Sequence, residues 1–179
     1  RELEELVKRD REEVRKHHEL NKELLDRARK LVRDHHERNK RLVREDEELV
    51  REAKELIERG EVTEEKIEEL MRRSKDLLRD NRRHLRELED TLRRLLEENK
   101  RHLDDVRRRS EELLRDKSGR SDEARKAKRE SERTLKELEE SSREVEKELR
   151  RLLKELRESS KKVEDDSRKS LERVERALR

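Results

Sequence analysis

Histidine, asparagine and serine are the residues of this chain whose side chains could do chemistry from its interior, and they recur at a fixed interval. Residues 15–25 read RKHHELNKELL and residues 33–43 read RDHHERNKRLV, so His17, His18 and Asn21 stand eighteen places before His35, His36 and Asn39. Further along, Asn81 and His84 precede Asn99 and His102 by eighteen, and Ser141-Ser142 precede Ser159-Ser160 by eighteen. Eighteen residues are about five turns of α-helix, so each copy returns to the same face roughly 27 Å further along.

Four kinds of behaviour are open to such residues. On the surface they would be solvated and silent. In a core, imidazoles bonded to Asn and Ser would fix helix register and partner choice, as buried polar residues do in coiled coils. The same buried imidazoles would sense protons, because histidine titrates near neutrality. A metal or haem site is the fourth, with three histidines in each band as potential ligands. No carboxylate recurs beside them at interior spacing and no Glu-x-x-His pair is present, so neither metal nor cofactor is expected. Catalysis is not expected either. The chain lacks cysteine and a glycine-rich phosphate loop. Its many late serines have no base and no oxyanion donors in a packed bundle without a cleft. The reading is therefore non-enzymatic, with no small-molecule substrate.

The elements that position these residues follow from composition and punctuation. Charged residues make up 60% and apolar residues 26%, a balance that suits disorder unless something opposes it. Two things do. The net charge is only +3, and the apolar residues are mostly Leu and Val at helical spacing. Glycine occurs twice, at Gly60 and Gly119. The stretch Glu58-Arg59-Gly60-Glu61-Val62-Thr63 reads as a glycine stop followed by a Thr63 N-cap, with Val62 and Ile67 placed as a hydrophobic staple. The stretch Ser118-Gly119-Arg120-Ser121 reads as a second stop and a Ser121 N-cap, with Asp122 and Glu123 favouring the helix dipole. Helices are predicted over 1–59, 63–116 and 121–179. The fold class is all-α: an up-down-up bundle of three long, nearly straight helices forming one domain over 1–179.

Apolar doublets and singlets, such as Leu24-Leu25, Ala28 and Leu31-Val32, give each helix nearly three core positions per seven. The other positions, filled by Glu, Lys, Arg and Asp, read as a solvated surface. Polar residues interrupt the stripes at the histidines and asparagines, at Ser74, Ser110, Ser131, Ser167 and Ser170, and at the serine pairs. A turn centred near Gly60 brings together residues whose numbers sum to about 120. His36 with His84, His18 with His102, Asn39 with Asn81 and Asn21 with Asn99 all meet that condition. The third helix fits less well: its start places Leu152 and Leu153, rather than a serine, level with His84. A second copy supplying the missing partners would explain that offset.

This style resembles de novo designed helical bundles with buried hydrogen-bond networks. The resemblance rests on capped helices of matched length, an aromatic-free Leu/Val core, an Arg/Glu surface and the repeated His–Asn–Ser layers. Within that class the chain is similar to the pH-responsive designs. The resemblance implies that His17, His18, His35, His36, His84 and His102 bond to Asn and Ser at neutral pH and that the layers fail in acid. Adjacent histidines lie about 100° apart around a helix, so one of each pair is expected to border the core.

As to partners, arginine and glutamate are interleaved and no aromatic can stack on a base, so nucleic acid is not expected. Neither a membrane span nor a targeting signal is expected, which suits a soluble recombinant product. A monomer or self-association through helix faces is expected. The alternative function is an interaction module that pairs with other chains into a larger helical bundle.

Overall fold

The computed structural model describes residues 2–115 and 122–178, without the side chains of residues 2, 3, 113, 114 and 178. The expected Gly119 stop and Ser121 cap lie outside the described residues, as do the side chains of Leu3, Leu113, Leu114 and Leu178. Three helices are present: α1 (Glu2–Glu58), α2 (Glu64–Arg115) and α3 (Asp122–Leu178). The fold is an all-α three-helix bundle.

The α1–α2 connection shows how the sequence stops and restarts a helix. Gly60 adopts a φ of 68°, a left-handed conformation that glycine reaches without steric penalty. The Glu61 amide bonds the Leu56 carbonyl at 3.0 Å and the Gly60 amide bonds Ile57 at 3.2 Å, the paired closure of a Schellman stop. Thr63 then caps α2, its Oγ1 accepting from the Lys66 amide at 3.2 Å.

Contacts divide the chain into two compact units, each built from a segment of all three helices. The first is Arg1–Arg29 with Leu92–Arg151, the second Lys30–Thr91 with Leu152–Arg179. In both, numbers rise along α1 as they fall along α2, so these run antiparallel, and α3 runs with α1. In the first unit Val14, Val106 and Leu138 form one apolar cluster, joined by Leu103 and Leu135. In the second, Leu49, Ala53, Leu70 and Val174 form another, with Val50, Leu56 and Leu77 packed against it. Along α1 the buried positions 28, 32, 35, 39, 42, 46, 49 and 53 alternate steps of four and three, the spacing that keeps one stripe facing its neighbours. One member of a doublet turns to the edge: Leu31 is half-buried beside buried Val32, while Val43 and Ile57 are 38% exposed.

Candidate functional site: buried polar layers

Asp10 opens the series in the first unit. It is buried, and its two carboxylate oxygens accept from Ser110 at 2.5 Å and from Ser131 at 2.6 Å. One turn beyond the Val14 cluster, the rings of His17 and His102 meet edge to face with centroids 5.4 Å apart and planes at 65°. Asn21, Asn99 and Ser142 form the next layer, all buried. Asn21 Nδ2 donates to Ser142 Oγ at 3.1 Å, and Asn99 Nδ2 donates to the Ser142 carbonyl at 3.1 Å. Four buried atoms of these two layers have no protein partner: His17 Nδ1, His102 Nδ1, Asn21 Oδ1 and Asn99 Oδ1.

The second unit holds the same residue types arranged differently. His35 is fully buried, and its ring lies parallel to that of His84, at 2° and 5.0 Å between centroids. Their Nδ1 atoms stand 2.8 Å apart, a hydrogen bond in which one ring donates and the other accepts. His35 Nε2 reaches Ser160 Oγ at 3.1 Å, and the hydroxyl can take either role to suit the tautomer. Asn81 Nδ2 donates to Asn39 Oδ1 at 3.0 Å, leaving Asn39 Nδ2 and Asn81 Oδ1 without partners. Asp46 closes the unit as Asp10 opens the other: it is buried and accepts from Ser74 at 3.4 Å and from Ser167.

Burial sets the protonation chemistry, since an imidazolium in a core loses its hydration. Burial, with His84, His36 and Arg38 close by, pushes His35 down to about 4. Burial and then Arg38 lower His84, against the opposing pull of Glu87 and Asp34. Burial and His102 lower His17, which Glu13 and Asp105 partly offset. Asp46 moves the other way: burial raises its carboxyl although the Ser167 and Ser74 bonds resist.

Several expectations need correction. The partner of His84 is His35, not His36, and that of His102 is His17, not His18. Asn21 and Asn99 do not bond each other; both use Ser142. His36 and His18 are half-buried at the layer edges, with His36 Nδ1 3.4 Å from Ser159 Oγ. Of the serine pairs, Ser142 and Ser160 are buried while Ser141 and Ser159 are half-buried. Ser160, rather than Leu152 or Leu153, joins the His35–His84 level, because buried polar groups must find partners and this outweighs a register guessed from the turn. The expected absence of a cleft also fails: an open groove of about 760 Å³ runs between α1 and α3 in the second unit, with His36, Asn39, Val43 and Ser159 in its lining.

The sequence pattern places Asp10 and Asp46 on the solvated surface, yet both are buried. They occupy stripe positions, and each sums to 120 with a buried serine, Ser110 and Ser74. That rule was the signal available for them. Among the described residues no cluster of three His, Cys, Asp or Glu could hold a metal ion, and no helix is long and apolar enough to cross a membrane.

No protein-family model matches the chain, and no curated protein matches it. A solved structure described as a computationally designed three helix bundle is similar over 98% of this chain and 88% of its own, at 20% identity and a TM-score of 0.49.

Proposed function

We propose that the chain is a designed, non-enzymatic structural or assembly scaffold whose buried His–Asn–Ser layers set helix register and make its stability fall in acid. The observation that supports this most directly is the 2.8 Å contact between His35 Nδ1 and His84 Nδ1. One proton between the two nitrogens makes a bond, whereas a proton on each makes two N–H groups collide beside a ring that is wholly withdrawn from solvent, His35. The first added proton is opposed by burial and the second also by charge repulsion.

Denaturant unfolding at pH 7.4 and pH 4.5 tests the acid response, comparing the parent with a variant in which all six histidines are Asn. The parent should lose more stability than the variant; equal losses would remove histidine from the proposal. Register setting is tested separately by Asn39→Leu with Asn81→Leu. The double variant should keep or gain stability, since donor and acceptor leave together, but should form additional oligomers. Strong destabilisation of a still monodisperse double variant would count against a register role.

A further inference from the structure

We propose that the α1–α3 groove of the second unit docks an acidic amphipathic helix of another chain, a fourth helix beside the three. The groove holds about 760 Å³, and Val43 and Val163 line it together with His36 and Ser159. Val43 belongs to a row on α1, His36, Val43, Val50 and Ile57, spaced by seven residues. None of the four is buried, and Val43 and Ile57 are exposed. Further along the same junction, Val50 lines a small cavity with Ser170 and Leu171 of α3. Such a row spans about 32 Å of helix. An apolar row of seven-residue period is a seam on which a further α-helix packs.

Charge around the groove selects the partner. The charged residues of its lining, Lys40 and Arg44, are both basic. Lys40 begins a row one turn beyond the seam, Lys40, Glu47 and Lys54, and α3 carries Lys162, Lys169 and Arg176 at the same seven-residue spacing. Five of these six are bases, in a chain whose net charge is only +3. Asp166 and Arg173, between them on α3, cancel. The first unit ties α1 to α3 with its own charges: Arg11 pairs with Glu130 at 2.9 Å and Arg29 with Glu148 at 3.7 Å. In the second, Lys40 pairs with Glu37 of its own helix at 3.4 Å. Arg44, Lys54, Lys162, Lys169 and Arg176 make no ion pair among the described residues.

Unspent bases beside an apolar seam call for carboxylates beside an apolar stripe, which an acidic amphipathic helix supplies. A second copy docking by the same face would set like rows of bases against each other, and like charges across an interface cost affinity. Duplex nucleic acid would meet the bases but leave Val43, Val50 and Ile57 without a partner. The site rests on the assembly reading and not on the acid response, so failure of docking at pH 7.4 would leave the histidine result standing.

The test uses the full chain at pH 7.4 and a synthetic peptide of about three heptads, with Leu at its a and d positions and Glu flanking them. A control peptide carries Lys in place of each Glu. Calorimetry should find one acidic peptide per chain, and circular dichroism should show the peptide gaining helicity. Backbone amide signals of residues 36–57 and 159–176 should move more than those of α2 in the same unit. Val43→Asp should weaken binding by about tenfold or more, because it sets an acid against the acidic helix. Arg44→Glu with Lys162→Glu should weaken the acidic peptide similarly and admit the lysine peptide. Lys100→Glu, at an exposed position of the first unit, should leave binding unchanged. The proposal is overturned by absence of acidic-peptide binding, by equal binding of the lysine peptide, or by signals that move mainly elsewhere. A dimer of the chain alone that protects Val43 would seat a second copy in the groove and overturn it equally, as would duplex DNA binding tighter than the peptide. The spectra of the parent and its choice between the two peptides decide the matter even where a variant folds poorly.

Discussion

The two units hold the same pair of residue types at their histidine layers and use them in opposite ways. In the second, the imidazoles lie parallel, bond through Nδ1 and close on Ser160, with His35 wholly withdrawn from solvent. In the first, the rings meet edge to face, both Nδ1 atoms go unbonded, and both residues keep partial exposure. An eighteen-residue repeat thus fixes which residues meet but not how their rings are turned. The serine at the repeat-related position differs in partner as well: Ser160 completes a histidine pair, whereas Ser142 serves two asparagines. Identical side chains in a core can form a closed network or an open one. Electrostatic consequences then follow from closure rather than composition.

The largest effect expected from this contrast is on acid stability. His35 titrates at about 4 in the folded chain and near 6.5 in the unfolded one. The unfolded chain therefore binds more protons in that interval. Stability is complete above about pH 6.5, declines as pH falls toward 4, and levels below it. That depression corresponds to about 3 kcal/mol for a residue fully withdrawn from solvent. His17 and His84 are lowered too and add in the same direction. Proton titration of the folded chain by NMR should show His35 as the histidine that charges last. A His35 midpoint near 6.5 would break the distinction between a closed and an open layer.

Removing one ring from each pair gives the next largest effect. In His84→Leu the fully buried His35 loses the partner of its Nδ1, and an unsatisfied group of that kind costs about 1–3 kcal/mol. In His102→Leu the remaining His17 loses no hydrogen bond, because its Nδ1 has none. Guanidinium midpoints at pH 7.4 should fall clearly for the first variant and little for the second. Equal falls would mean that ring packing, not bonding, separates the two layers.

The aspartate layers sharpen the comparison from the other side. Burial raises Asp46, so its charged form is disfavoured by folding at neutral pH. As pH drops through the raised folded value toward the unfolded one, the folded chain takes up the proton first and stability is gained. This opposes the histidine loss. A protonated Asp46 can donate to Ser74 or Ser167, and a serine hydroxyl can turn to accept, so this layer survives a proton that the His35–His84 layer resists. Asp46→Asn should raise stability at pH 7.4 by about 1 kcal/mol, the size of one buried polar interaction. It should also make the drop between pH 7.4 and pH 3 deeper than in the parent. A shallower drop in that variant would reverse the assigned sign.

How far these features were legible in the sequence differs between fold and site. Helix limits predicted from Gly60 and the Thr63 cap lie within about one residue of those found, because such signals act locally. The Asn39–Asn81 contact was reachable by counting from the turn. The choice of His35 over His36 depends on which member of a doublet faces inward. The alternating steps of four and three along α1 specify this, but only when traced over many turns. Asp10 and Asp46 escaped because an acid in a chain that is 60% charged looks like surface. Ring orientation was not legible at all, since it is set by contacts among three helices at once.

The smallest effect belongs to a pair of surface bridges that the two units build with reversed charges. In the first, Arg107 Nε and Nη2 of α2 both donate to Glu139 Oε1 of α3, at 3.0 and 2.6 Å. Eighteen residues away in each helix, Glu89 of α2 accepts from Arg157 Nε of α3 at 3.3 Å in the second unit. The arginines are 41% and 49% exposed, so water screens both bridges and most of the Coulomb attraction is lost. Two donors on one oxygen should make the Arg107 bridge the stronger of the two. Glu139→Gln should lower stability by about 0.5 kcal/mol and Glu89→Gln by less. Both differences should shrink in about 1 M salt, where the screening length is roughly 3 Å. Unfolding midpoints of the two variants at low and high salt measure this. An effect of Glu89→Gln larger than that of Glu139→Gln, or one insensitive to salt, would show that these carboxylates act through packing and that reversing their charge between the units has no energetic meaning.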